Sequence, residues 1–80
     1  KKSLKAVNLN WIAIDKPQEE FRAQAKIRST QQPVDVLVKP SGDEIEVIFG
    51  DLQKSIAIGQ SVVLYDGDVV LGGGVIEKVY

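Results

Sequence analysis

Three consecutive glycines, Gly72-Gly73-Gly74, are the first place in this sequence where backbone alone could do chemistry, because a glycine-rich loop can cradle a phosphate. A nucleotide-binding phosphate loop also needs a lysine followed by serine or threonine after its last glycine, and here Val75-Ile76 follow. The run leads into a strand-like segment, so no helix N-terminus is available to hold an anion. The glycines read instead as a bulge or a close crossing of backbones. Paired carboxylates come next. Glu19-Glu20 are adjacent, and Glu44 and Glu46 share one strand face about 7 Å apart, the layout of a solvated face. Asp66 and Asp68 flank a turn that accounts for both. The 80 residues contain no histidine, cysteine or methionine. That removes a serine–histidine pair, a thiol nucleophile, and imidazole or thiolate metal ligands. The chain therefore reads as a non-catalyst, with no metal site.

The remaining chemistry is electrostatic. From residue 20 to 28 the sequence alternates strictly, with Phe21, Ala23, Ala25 and Ile27 on one face and Arg22, Gln24, Lys26 and Arg28 on the other. A period of two is a half-buried strand, here with three cations along its outward side. Adjacent outward positions lie about 6.5–7 Å apart, close to the phosphate spacing of one nucleic-acid strand. Arg22, Lys26 and Arg28, supported by Lys39, are thus candidates for RNA phosphate contact. The same stripe also fits a solvated face whose charges keep one sheet from sticking to another. Trp11, the only tryptophan, reads either as a core anchor or as a base-stacking platform.

A single small domain must position these residues. Eighty residues with 44% hydrophobic and 26% charged content are ordinary for one globular domain. A net charge of −1 gives no global attraction to a polyanion, so RNA contact would need a local basic face. Absence of cysteine fits a cytoplasmic protein without a disulfide scaffold. No apolar run approaches the roughly 20 residues that span a bilayer, and no signal-peptide pattern opens the chain. The chain starts at Lys1 without an initiator methionine, which suggests a piece of a longer protein.

The chain reads as short alternating runs separated by turns. Leu4 to Ile14 predicts a strand, with Val7, Leu9 and Trp11 set against Asn8 and Asn10. Lys16-Pro17 opens a loop, and residues 20–28 form the second strand. Val34, Val36 and Val38 alternate in a third strand, Pro40-Ser41-Gly42-Asp43 makes a turn, and Ile45, Val47 and Phe49 alternate in a fourth. A short strand near 54–57 leads to Gly59. The last feature is a hairpin with Val62 and Leu64 buried, in which Asp66-Gly67 supplies a type I′ turn. Turn signals every 8–12 residues and no amphipathic helix predict an all-β fold. The expected architecture is one domain over 1–80, a small closed or nearly closed antiparallel barrel of six or seven strands. Gly59, Asp66, Gly67, Gly72, Gly73 and Gly74 are its turn and close-packing positions.

From Gly59-Gln60-Ser61 to Leu71-Gly72-Gly73-Gly74-Val75-Ile76 the chain resembles the C-terminal end of the bacterial tRNA-specific 2-thiouridylase family. That family carries a glycine-glutamine-serine, an aromatic-aspartate-glycine turn (here Tyr65-Asp66-Gly67) and a leucine-triglycine run in this order. Asn10-Trp11-Ile12, and Ala25-Lys26-Ile27-Arg28 with Gln32-Pro33, are similar as well. The chain departs from the family at Ser29-Thr30, where an aromatic or basic residue usually follows the arginine. The resemblance implies a C-terminal barrel like those of aminomethyltransferases and elongation factors. It also implies a parent enzyme that uses ATP with magnesium to activate the wobble uridine of tRNA and then installs sulfur through two cysteines. The ATP site and those cysteines lie in an N-terminal domain outside this chain. The implied partners are tRNA, the parent's own catalytic and central domains, and a sulfur-relay protein, with no membrane. The implied role of the barrel is to help hold tRNA and pack on its neighbours; the alternative is a purely structural barrel.

Overall fold

A computed structural model of the chain describes residues 2–27, 32–50 and 56–80. Among these, six strands form: β1 (Ser3–Trp11), β2 (Phe21–Lys26), β3 (Val34–Ser41), β4 (Glu44–Phe49), β5 (Ser61–Asp66) and β6 (Val69–Val79). They close into an antiparallel barrel in the order β1-β4-β3-β2-β5-β6, with β6 returning to β1. Closure leaves no strand with an unpaired edge, the liability of any small open sheet. The chain ends reinforce the seam: the Lys2 N–H donates to the Tyr80 carbonyl at 3.2 Å, and the Tyr80 N–H to the Ser3 carbonyl at 2.9 Å.

The alternating strands fold as their period demands. Ala23 and Ala25 of β2, Val36 and Val38 of β3, Ile45, Val47 and Phe49 of β4, and Val62 and Leu64 of β5 all point into one apolar core. No polar or charged side chain joins them among the described residues. Two alanines on β2 keep that wall thin, so that the valines and isoleucines opposite can fill the barrel.

Three expectations need correction. The first concerns β1, whose buried residues are Leu4 and Ala6, with Val7 turned outward and only half-buried. Asn8 adopts φ +53°, and the β1–β6 register shifts between Val7 and Asn10. This bulge switches the strand's faces, so that Leu9 and Trp11 return to pack on the core. Asparagine tolerates the left-handed conformation better than most residues, which suits it to the place. The strand also stops at Trp11 rather than Ile14, because the Ile12 and Ala13 N–H groups both turn onto the Leu71 carbonyl, at 2.8 and 3.3 Å.

The second correction concerns the closing hairpin. Asp66 is the last residue of β5, paired with Val69, so the two turn residues are Gly67 and Asp68. Gly67 has φ +60° and Asp68 is not left-handed, a pattern that matches type II′ rather than type I′. The third concerns the strand expected near 54–57. Residues 54 and 55 lie outside the described residues, while Ile56 and Ala57 are irregular. Gly59, at φ +94°, turns the chain so that its N–H meets the Ile76 carbonyl at 2.8 Å just before β5 begins.

Gly72, Gly73 and Gly74 lie on β6 between β1 and β5. A Cβ on Gly72 would run into the Asn10 carbonyl oxygen and the Trp11 ring. One on Gly73 would sit 2.5 Å from the Val62 carbonyl oxygen, and one on Gly74 would sit 2.7 Å from both Val7 O and Leu9 Cδ2. The space beside each glycine is therefore already filled by a neighbouring strand, and no cradle for a phosphate remains.

Candidate nucleic-acid interface

The outward face of β2 carries Arg22, Gln24 and Lys26, and Arg28 lies outside the described residues. Arg22 is exposed, and four residues of strand put it about 13 Å from half-buried Lys26. Among the described candidates, acids accompany Arg22 and Lys39 but not Lys26. Arg22 borders a hollow that also contains Glu19, Glu20 and Asp66. Lys39 on β3 stands directly across from Glu46 on β4. Lys26 is opposite Val63 on β5, with no acid in register. Among the described residues none of these three cations is in an ion pair.

Gln24, between the cations, is committed to structure. Its Nε2 donates to Asp35 Oδ1 at 3.3 Å, and its Oε1 accepts from the Gly67 N–H at 3.0 Å. One side chain thus ties β2 to β3 and to the closing turn, which helps to fix where that turn falls.

The paired charges belong to other walls. Lys5 on β1 lies 3.1 Å from Glu77 and 3.6 Å from Glu44, which raises its pKa, through the Glu77 hydrogen bond first and the Glu44 charge second. Lys16, in the loop after β1, donates to Asp43 Oδ1 at 2.7 Å and straps that loop to the β3–β4 turn. The same hydrogen bond, followed by the lysine charge, lowers the Asp43 pKa below its ordinary 3.8. A lowered carboxylate pKa means the strap contributes above the ordinary value and is lost as pH falls through the lowered one. Asp43→Asn is accordingly expected to speed proteolytic cleavage within residues 12–20 at neutral pH, and to make no difference once acid has protonated the parent's carboxylate. The pair lies at the surface, with Asp43 fully exposed, so the effect on global stability should be negligible.

Trp11 is half-buried and meets Phe21 edge-on, with ring centroids 6.3 Å apart and planes at 64°. It stands opposite Gly72 and packs on the core, as an anchor at the barrel end does. Two features stand outside the reading of single strands. One is the company of acids that loops and neighbouring strands bring to Arg22 and Lys39. The other is an apolar barrel end formed by Ile12, Ile14, Val69 and Val70, all exposed. The consecutive apolar runs Trp11-Ile12-Ala13-Ile14 and Val69-Val70-Leu71 are its signals in the sequence.

The described residues contain no group of three histidine, cysteine, aspartate or glutamate side chains able to hold a metal ion. They include no helix long and apolar enough to cross a membrane. The sequence model of the aminomethyltransferase beta-barrel domain family matches residues 1–76, nearly the whole barrel. The chain belongs to this family. Several 2-thiouridylases are similar along almost its full length. The tRNA-specific 2-thiouridylase MnmA of Clostridioides difficile (strain 630) is 48% identical over 79 residues, covering 98% of this chain and 22% of that protein. MnmA 1 of Caldanaerobacter subterraneus subsp. tengcongensis is 51% identical over 72 residues, covering 89% of this chain and 20% of that protein. MnmA of Francisella philomiragia is 46% identical over 78 residues, covering 95% and 21%. The chain thus spans about a fifth of the length of the curated relatives it matches. Within the family barrel, the glycine run serves close strand packing.

Proposed function

We propose that this barrel is a non-catalytic domain of a cytoplasmic enzyme that 2-thiolates the wobble uridine of tRNA. In this reading it helps to hold the tRNA through Lys26, the last residue of β2, and through Arg28, two residues further along the chain. The observation that supports this reading best is the similarity, along nearly all of this chain, to 2-thiouridylases about five times its length. ATP with magnesium, the catalytic cysteines and the contact with a sulfur-relay protein are assigned to the part of the enzyme outside this chain. The residues present do not fit the nucleotide, because the only glycine run is packed against β1 and β5.

Within the cation set, the neighbouring acids support an order of contribution. Lys26 has no acid across from it, whereas Arg22 and Lys39 do have acids close by. An acid beside a cation supplies the counter-charge that a phosphate would otherwise replace, so Arg22 and Lys39 should contribute least. Each phosphate contact contributes about 0.7–0.9 to the slope of log affinity against log salt. In the full-length enzyme, Lys26→Ala with Arg28→Ala is expected to weaken tRNA binding several-fold at low salt, to reduce that slope by about 1.5, and to leave kcat at saturating tRNA unchanged. Arg22→Ala with Lys39→Ala is expected to change affinity by less than about twofold. Filter binding at two salt concentrations, together with single-turnover thiolation, reads both. If the Lys26/Arg28 variant binds like the parent, the RNA contact is gone and a purely structural barrel remains.

A further inference from the structure

Four large apolar residues are exposed where the end of β1 meets the start of β6. Ile12 is 66% exposed, Val69 52%, and Ile14 and Val70 37% each. The segments that carry them are held together because the Ile12 and Ala13 N–H groups bind the Leu71 carbonyl, which brings the end of β1 against the start of β6. Ile14 then folds over a hollow shared with Pro17, Phe21 and Leu71. Among the described residues the other strongly exposed apolar ones, Ile58 and Tyr80, are elsewhere: Ile58 precedes the Gly59 turn beside Ile76, and Tyr80 is at the seam of the chain ends. Single exposed apolar residues are common on any protein, but a contiguous group marks an interaction surface.

The rim of this end identifies its occupant. Glu19, Glu20 and Asp66 line the hollow beside Ile14 with Arg22, and along the chain Asp15 and Lys16 follow Ile14 while Asp68 precedes Val69. Lys16 is already neutralised by Asp43. An acidic rim repels the phosphates of RNA and attracts a basic protein surface. The relatives this chain matches are about five times its length, so the rest of such a polypeptide is the protein surface always at hand.

We propose that the Ile12–Ile14–Val69–Val70 end is the face on which the barrel docks to the remainder of its own polypeptide, against an apolar patch with a basic rim. The proposal rests on the reading of the chain as one domain of a longer enzyme, but not on its contact with tRNA. The two faces lie apart: Lys26 is at the far end of β2 from Phe21, which borders the docking hollow.

The test uses the full-length enzyme in three forms: the parent, Ile12→Glu with Val69→Glu, and Ile58→Glu as an equally exposed control. The readouts are limited proteolysis between the barrel and the remainder, and the number of thermal unfolding transitions. The Ile12/Val69 variant is expected to speed cleavage at that junction by at least about tenfold, which the lost burial of either one of its two replaced side chains would already give, and to split unfolding into two transitions. The Ile58 variant should match the parent in both. The replaced side chains project into solvent from the barrel, so its circular dichroism should not change. Junction cleavage like the parent's in the Ile12/Val69 variant overturns the proposal. So does a parent dimer that this variant converts to monomer, because the occupant would then be a second copy. Loss of the tRNA effect of Lys26/Arg28 with junction cleavage still accelerated would discard the RNA contact and keep the docking face.

Discussion

Gly73→Ala is expected to lower the unfolding free energy of the barrel by about 2–3 kcal/mol, as overpacking of a closed interior does. The added Cβ would lie 2.5 Å from the Val62 carbonyl oxygen. That oxygen is backbone, held in the β5–β6 ladder where Val63 pairs with Gly73 and Val62 with Gly74. No rotamer change can relieve the contact, so a strand must move, and in a closed barrel a strand cannot move without disturbing the next. A domain of 80 residues has a total stability of only about 4–12 kcal/mol, so this one methyl group removes a large share. With a urea slope near 1 kcal/mol per molar for a chain this short, the midpoint should fall by about 2 M. Gly72→Ala should behave alike, because its Cβ meets the Asn10 carbonyl. Gly50→Ala is the control: nothing lies within 4 Å of its Cβ, and its midpoint should hardly change. A Gly73→Ala barrel that unfolds where the parent does would mean that β6 does not run as closely between β1 and β5 as described. A phosphate-binding loop predicts the opposite result, an intact fold with a lost ligand.

This contrast shows which parts of the structure could be read from sequence. β2, β3 and β4 bury every second residue without interruption, so their period alone placed Ala23, Val36, Val38, Ile45, Val47 and Phe49 inside. The turn of the closing hairpin was offset by one because Tyr65-Asp66-Gly67-Asp68 carries turn residues on both sides of Gly67. The choice between the two settings rests on longer-range contacts: Gln24 accepting from the Gly67 N–H, and the β5–β6 register shift between Leu64 and Tyr65. The candidate interface was legible to the same extent. That Arg22 and Lys26 share an outward face follows from one strand. That Arg22 keeps company with Glu19, Glu20 and Asp66, while Lys39 faces Glu46, depends on three other segments and on the order of strands around the barrel. Charge on one strand says where a side chain points; the neighbouring strands decide what potential it meets.

The strand whose period misled is the one where a mutation pair discriminates most sharply. Leu4→Ala is expected to cost about 2–5 kcal/mol, and Val7→Ala less than about 1 kcal/mol. Leu4 is fully buried, with Val47 of β4 and Val79 of β6 opposite it, so truncation opens a cavity that a closed barrel cannot collapse around. Val7 faces outward and is only half-covered. A regular, unbulged β1 would place Leu4 and Ala6 on the face opposite Leu9 and Trp11, so one pair would have to leave the core. The left-handed turn of the backbone at Asn8 lets both pairs face inward along one strand. A β-branched residue fits that conformation poorly, so Asn8→Val should cost about 1–2 kcal/mol although the side chain is exposed, and Asn8→Gly should be close to neutral. The bulge and the glycines are also coupled. Gly74 lies beside the Val7 carbonyl and Leu9 Cδ2, the residues on either side of Asn8. Combining Asn8→Val with Gly74→Ala should therefore give a change that is not the sum of the two, whereas Asn8→Val and Gly50→Ala should add. Urea midpoints of these variants test the register of β1 directly. A regular strand would make Val7→Ala the costly change and leave Asn8→Val without effect.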